Sequence, residues 1–154
     1  MDNIFVGDCR FNDTDTGLRL KSGRDRGGLI HNVWVKNVVM CDIAEEAVLV
    51  DSYYQEKVGD ASQVAPVDVT ADTPRFEGIN IEGIICTDAE RAIVIKGLPE
   101  MNVRDIKITN SSFDTRSGCT ISHASDVTFS DVTFKVENGD ILKQSHSKNI
   151  IIKP

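Results

Sequence analysis

Arg19 and Lys21 are the side chains best placed to do chemistry. They stand in Gly17-Leu18-Arg19-Leu20-Lys21, where apolar and basic residues alternate. In an extended strand, successive side chains point to opposite faces. Leu18 and Leu20 are therefore expected in a core, with Arg19 and Lys21 side by side in water. Two fixed cations on one strand face can grip a carboxylate or a sulfate, Arg through a planar fork and Lys as a compact charge. A solvated strand edge that carries two charges is the plainer alternative. Arg24 and Arg26 follow, opposed only by Asp25, so residues 19 to 26 carry a local charge of +3 in a chain of net charge −7. Such an island fits a local anion site better than a general polyanion surface. The acidic remainder disfavours nucleic acid as a partner.

Little else in the chain suggests chemistry. Cys9, Cys41, Cys86 and Cys119 form no CxxC pair, and His31, His123 and His146 form no HxH or HExxH pattern. No metal and no cofactor is expected from such spacing, and the cysteines are expected as buried free thiols. No run of 18 apolar residues marks a membrane span. Met1 to Phe11 lacks the basic start and long apolar stretch of a signal peptide. It begins directly inside a patterned segment.

The elements that must position the cations are short strands in repeats. An apolar-x-apolar strand, a turn-like pair and a second apolar stretch start at Ile4, Val33, Ile79, Ile106, Val127 and Ile150, in steps of 29, 46, 27, 21 and 23 residues. A second strand follows each complete start 14 or 15 residues later, at Leu18, Val48, Ile93, Ile121 and Ile141. No segment keeps helical apolar spacing over three turns. Repeats of this length, with turn residues at fixed places, predict an all-β, right-handed parallel β-helix whose coils stack their strands and share an apolar column. An antiparallel sandwich or jelly roll is the runner-up, and the absence of hairpin dipeptides between adjacent strands argues against it.

The organisation predicted is one partial domain over residues 1–154, of about five to six coils, with a loop insertion near 51–75. The insertion, from about Asp51 to Arg75, is polar, contains Pro66 and Pro74 and opens on Tyr53-Tyr54. Long loops on regular scaffolds often carry function, and tyrosine rings stack on sugars. A disordered excursion is the alternative.

With these residues in hand, the chain resembles the polygalacturonase-like glycoside hydrolases, family 28, in their bacterial branch. The resemblance rests on Arg19-Leu20-Lys21, where the family signature has Arg-Ile-Lys, and on Arg24-Asp25-Arg26-Gly27-Gly28 after it. The strand into Tyr53-Tyr54 and the stretch Ile95-Lys96-Gly97-Leu98-Pro99-Glu100 before Val103-Arg104-Asp105-Ile106 add to it. The similarity covers essentially the whole chain but corresponds to the C-terminal part of such an enzyme. It implies a pectin-lyase-like solenoid truncated at its N-terminal end, an acidic polysaccharide (galacturonan) as partner, and extracellular or periplasmic family members.

The resemblance also implies that Arg19 and Lys21 bind a galacturonate carboxylate and that Tyr53 or Tyr54 shapes the same subsite. Arg24 and Arg26 are further candidates, with a loop-fixing or solvated role as the alternative. The family's earlier Asn-Thr-Asp, Asp-Asp and Gly-His-Gly signatures are not found upstream of Thr16. Asn12-Asp13-Thr14-Asp15 directly precedes the triplet strand and suits turn duty. No catalytic residue is therefore assigned. Inverting glycoside hydrolysis needs a carboxylic acid and a carboxylate about 6.5 to 9.5 Å apart. Asp42, Glu45, Glu46 and Asp51 cannot be paired by spacing. The expected function is the C-terminal part of a galacturonan hydrolase that retains its carboxylate clamp and is inactive alone. The alternative is a non-catalytic acidic-oligosaccharide-binding or self-associating β-helix remnant. A first coil exposing Ile4, Phe5 and Val6 would then join copies into a homo-oligomer.

Overall fold

The structure is a computed structural model and describes all residues except Gln55 and Lys57. Among the described residues, seven strands are joined in one parallel sheet: β1 (Asp2–Thr14), β2 (Leu18–Lys21), β3 (Leu29–Asp51), β4 (Arg75–Lys96), β5 (Val103–Ser122), β6 (Ala124–Ser145) and β7 (Lys148–Lys153). The order is β1-β3-β4-β5-β6-β7, with β2 also paired to β3. Strands of 20 residues and more remain continuous because each bends round the corners of a coil. The result is a parallel β-helix, in which β3, β4, β5 and β6 each make one coil.

The repeat starts lie in register. Ile4 pairs with Val33, Val33 with Ile79, Ile79 with Ile106, Ile106 with Val127, and Val127 with Ile150. Alternation then turns one set of side chains inward, as in the column Phe11, Met40, Cys86, Phe113 and Phe134. Phe113 and Phe134 stack with ring centroids 5.5 Å apart. Each fully buried Ile or Phe of these columns stabilises the fold by roughly 1.5–3 kcal/mol. The same alternation sorts the first coil, where Ile4 and Val6 are half-buried. Ile4 and Val6 pack against the core, but Phe5 points outward and is 69% exposed beside Trp34.

Each bend is made by one residue in the left-handed region, not by a pair. Asn3, Asn32, Gly78, Asp105, Asp126 and Asn149 occupy one corner of successive coils, all with positive φ. Asp8, Asn37, Gly83, Asn110 and Asp131 occupy the next. Gly, Asn and Asp visit this region at least cost. Stacked amides also bond along the axis: Asn32 Nδ2 donates to Asn3 Oδ1 at 3.2 Å, Asn37 to Asp8 at 3.1 Å and Asn149 to Asp126 at 2.9 Å.

The third corner is irregular, and it corrects the second repeat column. Leu18, Val48 and Ile93 do line up. In β5, Thr87 and Ala89 of the neighbouring coil face the consecutive residues Asp114 and Thr115, so one residue is missing. In β6, two residues are added between Asn138 and Leu142. Cys119 and Leu142 therefore take the column, while Ile121 pairs with Ile95. Ile141 is turned out, 46% exposed. All four cysteines are free. Cys86 and Cys119 are buried, whereas Cys9 and Cys41 are half-buried.

Residues 52–74, between β3 and β4, leave the coil. Among the described residues there, the one regular piece is a single 3-10 turn at Ala61–Gln63, capped by the Asp60 side chain, which accepts from Ser62 N–H at 2.9 Å. The excursion has its own apolar seat, where Tyr53, Ala61 and Leu98 pack together with Val58, Val64 and Met101 around them.

Candidate functional site

β2 carries the cations as its alternation demands. Leu18 and Leu20 are buried, and Arg19 and Lys21 are exposed on the outer face. Pairing with β3 sets Arg19 opposite Leu49 and Lys21 opposite Asp51. The strand is fastened at both ends, by Gly17 N–H to the Glu46 carbonyl and Ser22 N–H to the Asp51 carbonyl, each 3.0 Å. Arg19 lies 3.8 Å from Glu45, with both side chains largely exposed. A pair of that kind contributes little to stability and leaves the guanidinium open to a better acid.

The two adjacent tyrosines have separate fates. Tyr54 N–H donates to the Ser22 carbonyl at 2.9 Å, which brings the start of the excursion against the end of β2. Gly23 permits that approach, since a Cβ there would stand 2.9 Å from the Tyr54 carbonyl oxygen. The Tyr54 ring then lies within reach of two cations, Lys21 Nζ at 4.1 Å and Arg26 Cζ at 4.5 Å from its centroid. Each such contact holds a cation over an aromatic face with about 0.5–1 kcal/mol at an exposed site. Tyr53 is 2% exposed, with its N–H donating to Asp51 Oδ1 at 3.0 Å. Burial pushes its phenol up to about 12, and its hydroxyl is buried without a hydrogen-bond partner among the described residues.

Arg24 is turned away from Arg19 and Lys21. Its Nε and Nη2 donate to the two oxygens of Glu100 at 2.9 and 3.0 Å, and Nη2 also donates to the Ala65 carbonyl at 3.2 Å. Side-chain exposures of 19% and 4% mark a mostly buried clamp. Burial works against the charge on Glu100, but the hydrogen bond from Arg24 and its positive charge outweigh this and hold the carboxyl below the usual glutamate range. The same bond raises Arg24. The clamp ties residues 22–28, the excursion and the 97–102 turn together. Gly27, at φ +59, adds an N–H···O bond of 2.8 Å to the Asp72 carbonyl.

The structure therefore brings Arg19, Lys21, Arg26 and Tyr54 to one surface and sets Arg24 and Tyr53 beneath it as supports. Glu100 is the residue that sequence reasoning did not assign. Its sole sequence signal was membership of the Ile95–Glu100 stretch. The acids that spacing could not pair are engaged. Glu46 accepts from Arg91 Nε and Nη2 at 3.1 and 2.7 Å, Asp51 accepts from Tyr53 N–H, and Glu45 faces Arg19. Asp13, at φ +56, is a corner residue. Chemically, this surface is a cation pair beside an aromatic ring, suited to holding an anion on a polar ring.

The fold is that of a parallel β-helix solenoid, and comparison with known proteins gives the family. The chain belongs to glycosyl hydrolases family 28, whose family model matches residues 1–82. An endo-polygalacturonase of Pectobacterium parmentieri is 31% identical over 114 residues, 71% of this chain and 25% of that protein. An endo-polygalacturonase of Pectobacterium carotovorum subsp. carotovorum is 29% identical over 114 residues, with the same coverage. The chain thus spans about a quarter of the length of the curated relatives it matches.

Proposed function

We propose that this chain supplies the carboxylate-binding side of a galacturonan subsite in a polygalacturonase-like pectin hydrolase. The observation that carries the reading is the shared outer face of Arg19 and Lys21 with Tyr54 seated against Lys21. Arg19 offers a planar fork to a uronate carboxylate, and Lys21 adds a point charge. Tyr54 gives the sugar ring an apolar face and fixes the Lys21 ammonium. The names of the two relatives, both endo-polygalacturonases, support galacturonan as the polymer. Titrating oligogalacturonate into the wild type and the Arg19→Ala/Lys21→Ala variant tests the reading. Saturable binding that the variant loses is expected. Superimposable curves would overturn it.

The same reading makes residues 1–154 a binding surface without its own acid–base pair. The sequence holds no Asp-Asp and no Gly-His-Gly. Of the nearby carboxylates, Glu46 and Glu100 are bonded to arginines, and Asp51 accepts a backbone N–H. A general acid needs a carboxyl that keeps its proton near neutral pH, and Glu100 is held the other way. A reducing-sugar assay on polygalacturonate is expected to show no turnover by these residues alone. Sustained release of reducing ends would refute that part.

A further inference from the structure

Lys96 ends β4, as Lys21 ends β2. The register runs Lys21, Asp51 and Lys96 along one outward column of successive coils, and the next rung, Ser122, is buried with its hydroxyl donating to the Ile95 carbonyl at 3.4 Å. Neighbouring rungs of a sheet are about 4.8 Å apart, so Lys96 stands about 10 Å along the axis from Lys21. Lys96 is half-buried, with the fully buried Ile95 on the opposite face of the strand. Ten of the chain's other Lys and Arg side chains pair with acids, or lie over Tyr54, among the described residues. Lys96 has no such partner there, although the acid opposite it in register is Asp51. The Asp51 carboxylate instead takes the Tyr53 N–H through Oδ1. Holding an ammonium half-buried without a counter-charge is unfavourable, and an anionic ligand would supply that charge.

We propose that Lys96 is a second carboxylate anchor, which binds a further uronate of a chain lying along the coil axis across Lys21 and Asp51. The inference rests on the galacturonan reading above and extends it from one subsite to a strip. The column alternates cation, carboxylate, cation, so uronate carboxylates settle at Lys21 and Lys96. A ring hydroxyl donates to Asp51 between them, and the strip ends at Lys96, where the buried Ser122 follows. Only a ligand long enough to span two rungs engages both lysines. Length dependence is therefore the signature of the second anchor.

The test compares digalacturonate and hexagalacturonate binding to the wild type, Lys96→Gln, Lys96→Arg and Arg19→Ala/Lys21→Ala, with thermal midpoints recorded for each. Loss of one charge-assisted bond is expected to weaken hexamer binding by Lys96→Gln about tenfold. Dimer binding and the thermal midpoint should stay unchanged, and Lys96→Arg should restore most of the hexamer affinity. The double variant should weaken both ligands. If Lys96→Gln binds the hexamer like the wild type while the double variant does not, Lys96 is no anchor and the first subsite stands. If Lys96→Gln weakens the dimer equally, or Lys96→Arg fails to rescue, a strip role is overturned in favour of a structural one. If the double variant binds both ligands like the wild type, or the wild type binds neither, the underlying galacturonan reading falls and the second anchor falls with it.

Discussion

Replacing Glu100 with alanine should loosen the platform under the cation pair without touching a cation of that pair. Glu100 receives both the Nε and Nη2 bonds of Arg24 and is 4% exposed on its side chain. Removing one partner of a buried ion pair costs about 3–5 kcal/mol, because the other charge is left unpaired. Arg24 keeps its bond to the Ala65 carbonyl and is 19% exposed, so the lower end applies, about 3 kcal/mol. In a solenoid each coil contacts its neighbours, and a loss of this kind appears first as local opening. Hydrogen exchange of the Tyr54 and Gly27 amides, which bond to the Ser22 and Asp72 carbonyls, is the direct readout. About 3 kcal/mol corresponds to roughly a hundredfold faster exchange through local opening.

The pH dependence fixes the cause. Glu100 has a folded pKa below the ordinary glutamate value, so the unfolded chain takes up its proton first as pH falls. The stabilisation is complete above the ordinary glutamate pKa and disappears as pH drops through the lower folded value. Wild type and Glu100→Ala should therefore differ at neutral pH and converge in acid. The Arg24→Ala/Glu100→Ala double variant should be less destabilised than the sum of the singles, since it leaves no unpaired charge. A gap between wild type and Glu100→Ala that stays constant into acid, or amides at Tyr54 and Gly27 that exchange alike in both proteins at neutral pH, would refute the clamp.

Three further outcomes follow from the coil. Ser111→Val should cost about 1–3 kcal/mol in denaturant unfolding, although Val132 fills the same column next door, because Ser111 Oγ accepts the buried Ile84 N–H at 3.0 Å. Gly27→Ala should lower stability by about 1–2 kcal/mol from its left-handed φ, and by more if Ala71 cannot give way, since the new Cβ would meet that carbonyl oxygen at 2.8 Å; an unchanged melting temperature would contradict it. A thiol reagent at pH 8 should modify Cys9 and Cys41 in the folded protein and spare Cys86 and Cys119. Burial pushes both of those thiols up to about 12, and rapid modification of all four would mean that the inner columns open.

The parts legible from sequence are those governed by a period. Alternation placed Leu18 and Leu20 inside and Arg19 and Lys21 outside, and spacing found the starts that pair from Ile4 to Ile150. Where the period breaks, at the third corner, a missing residue in β5 and two extra in β6 moved Cys119 and Leu142 into positions read as Ile121 and Ile141. Corners carry no apolar pattern, so a gain or loss of one residue there leaves no trace in the sequence. The tyrosines show the other limit. They lie beyond the end of β3, where no alternation applies, so which ring is buried depends on contacts made far along the chain. Leu98 and Ala61 form the seat that takes Tyr53, and Arg24, which lies 76 residues from Glu100 in sequence, draws the 97–102 turn against it. With Tyr53 seated, Tyr54 can lie against Lys21 and Arg26. Which ring lies against the cations is thus set by a buried clamp and a buried tyrosine. Substitutions beneath the surface should alter binding through the position of Tyr54, while the cations of β2 stay fixed by their strand.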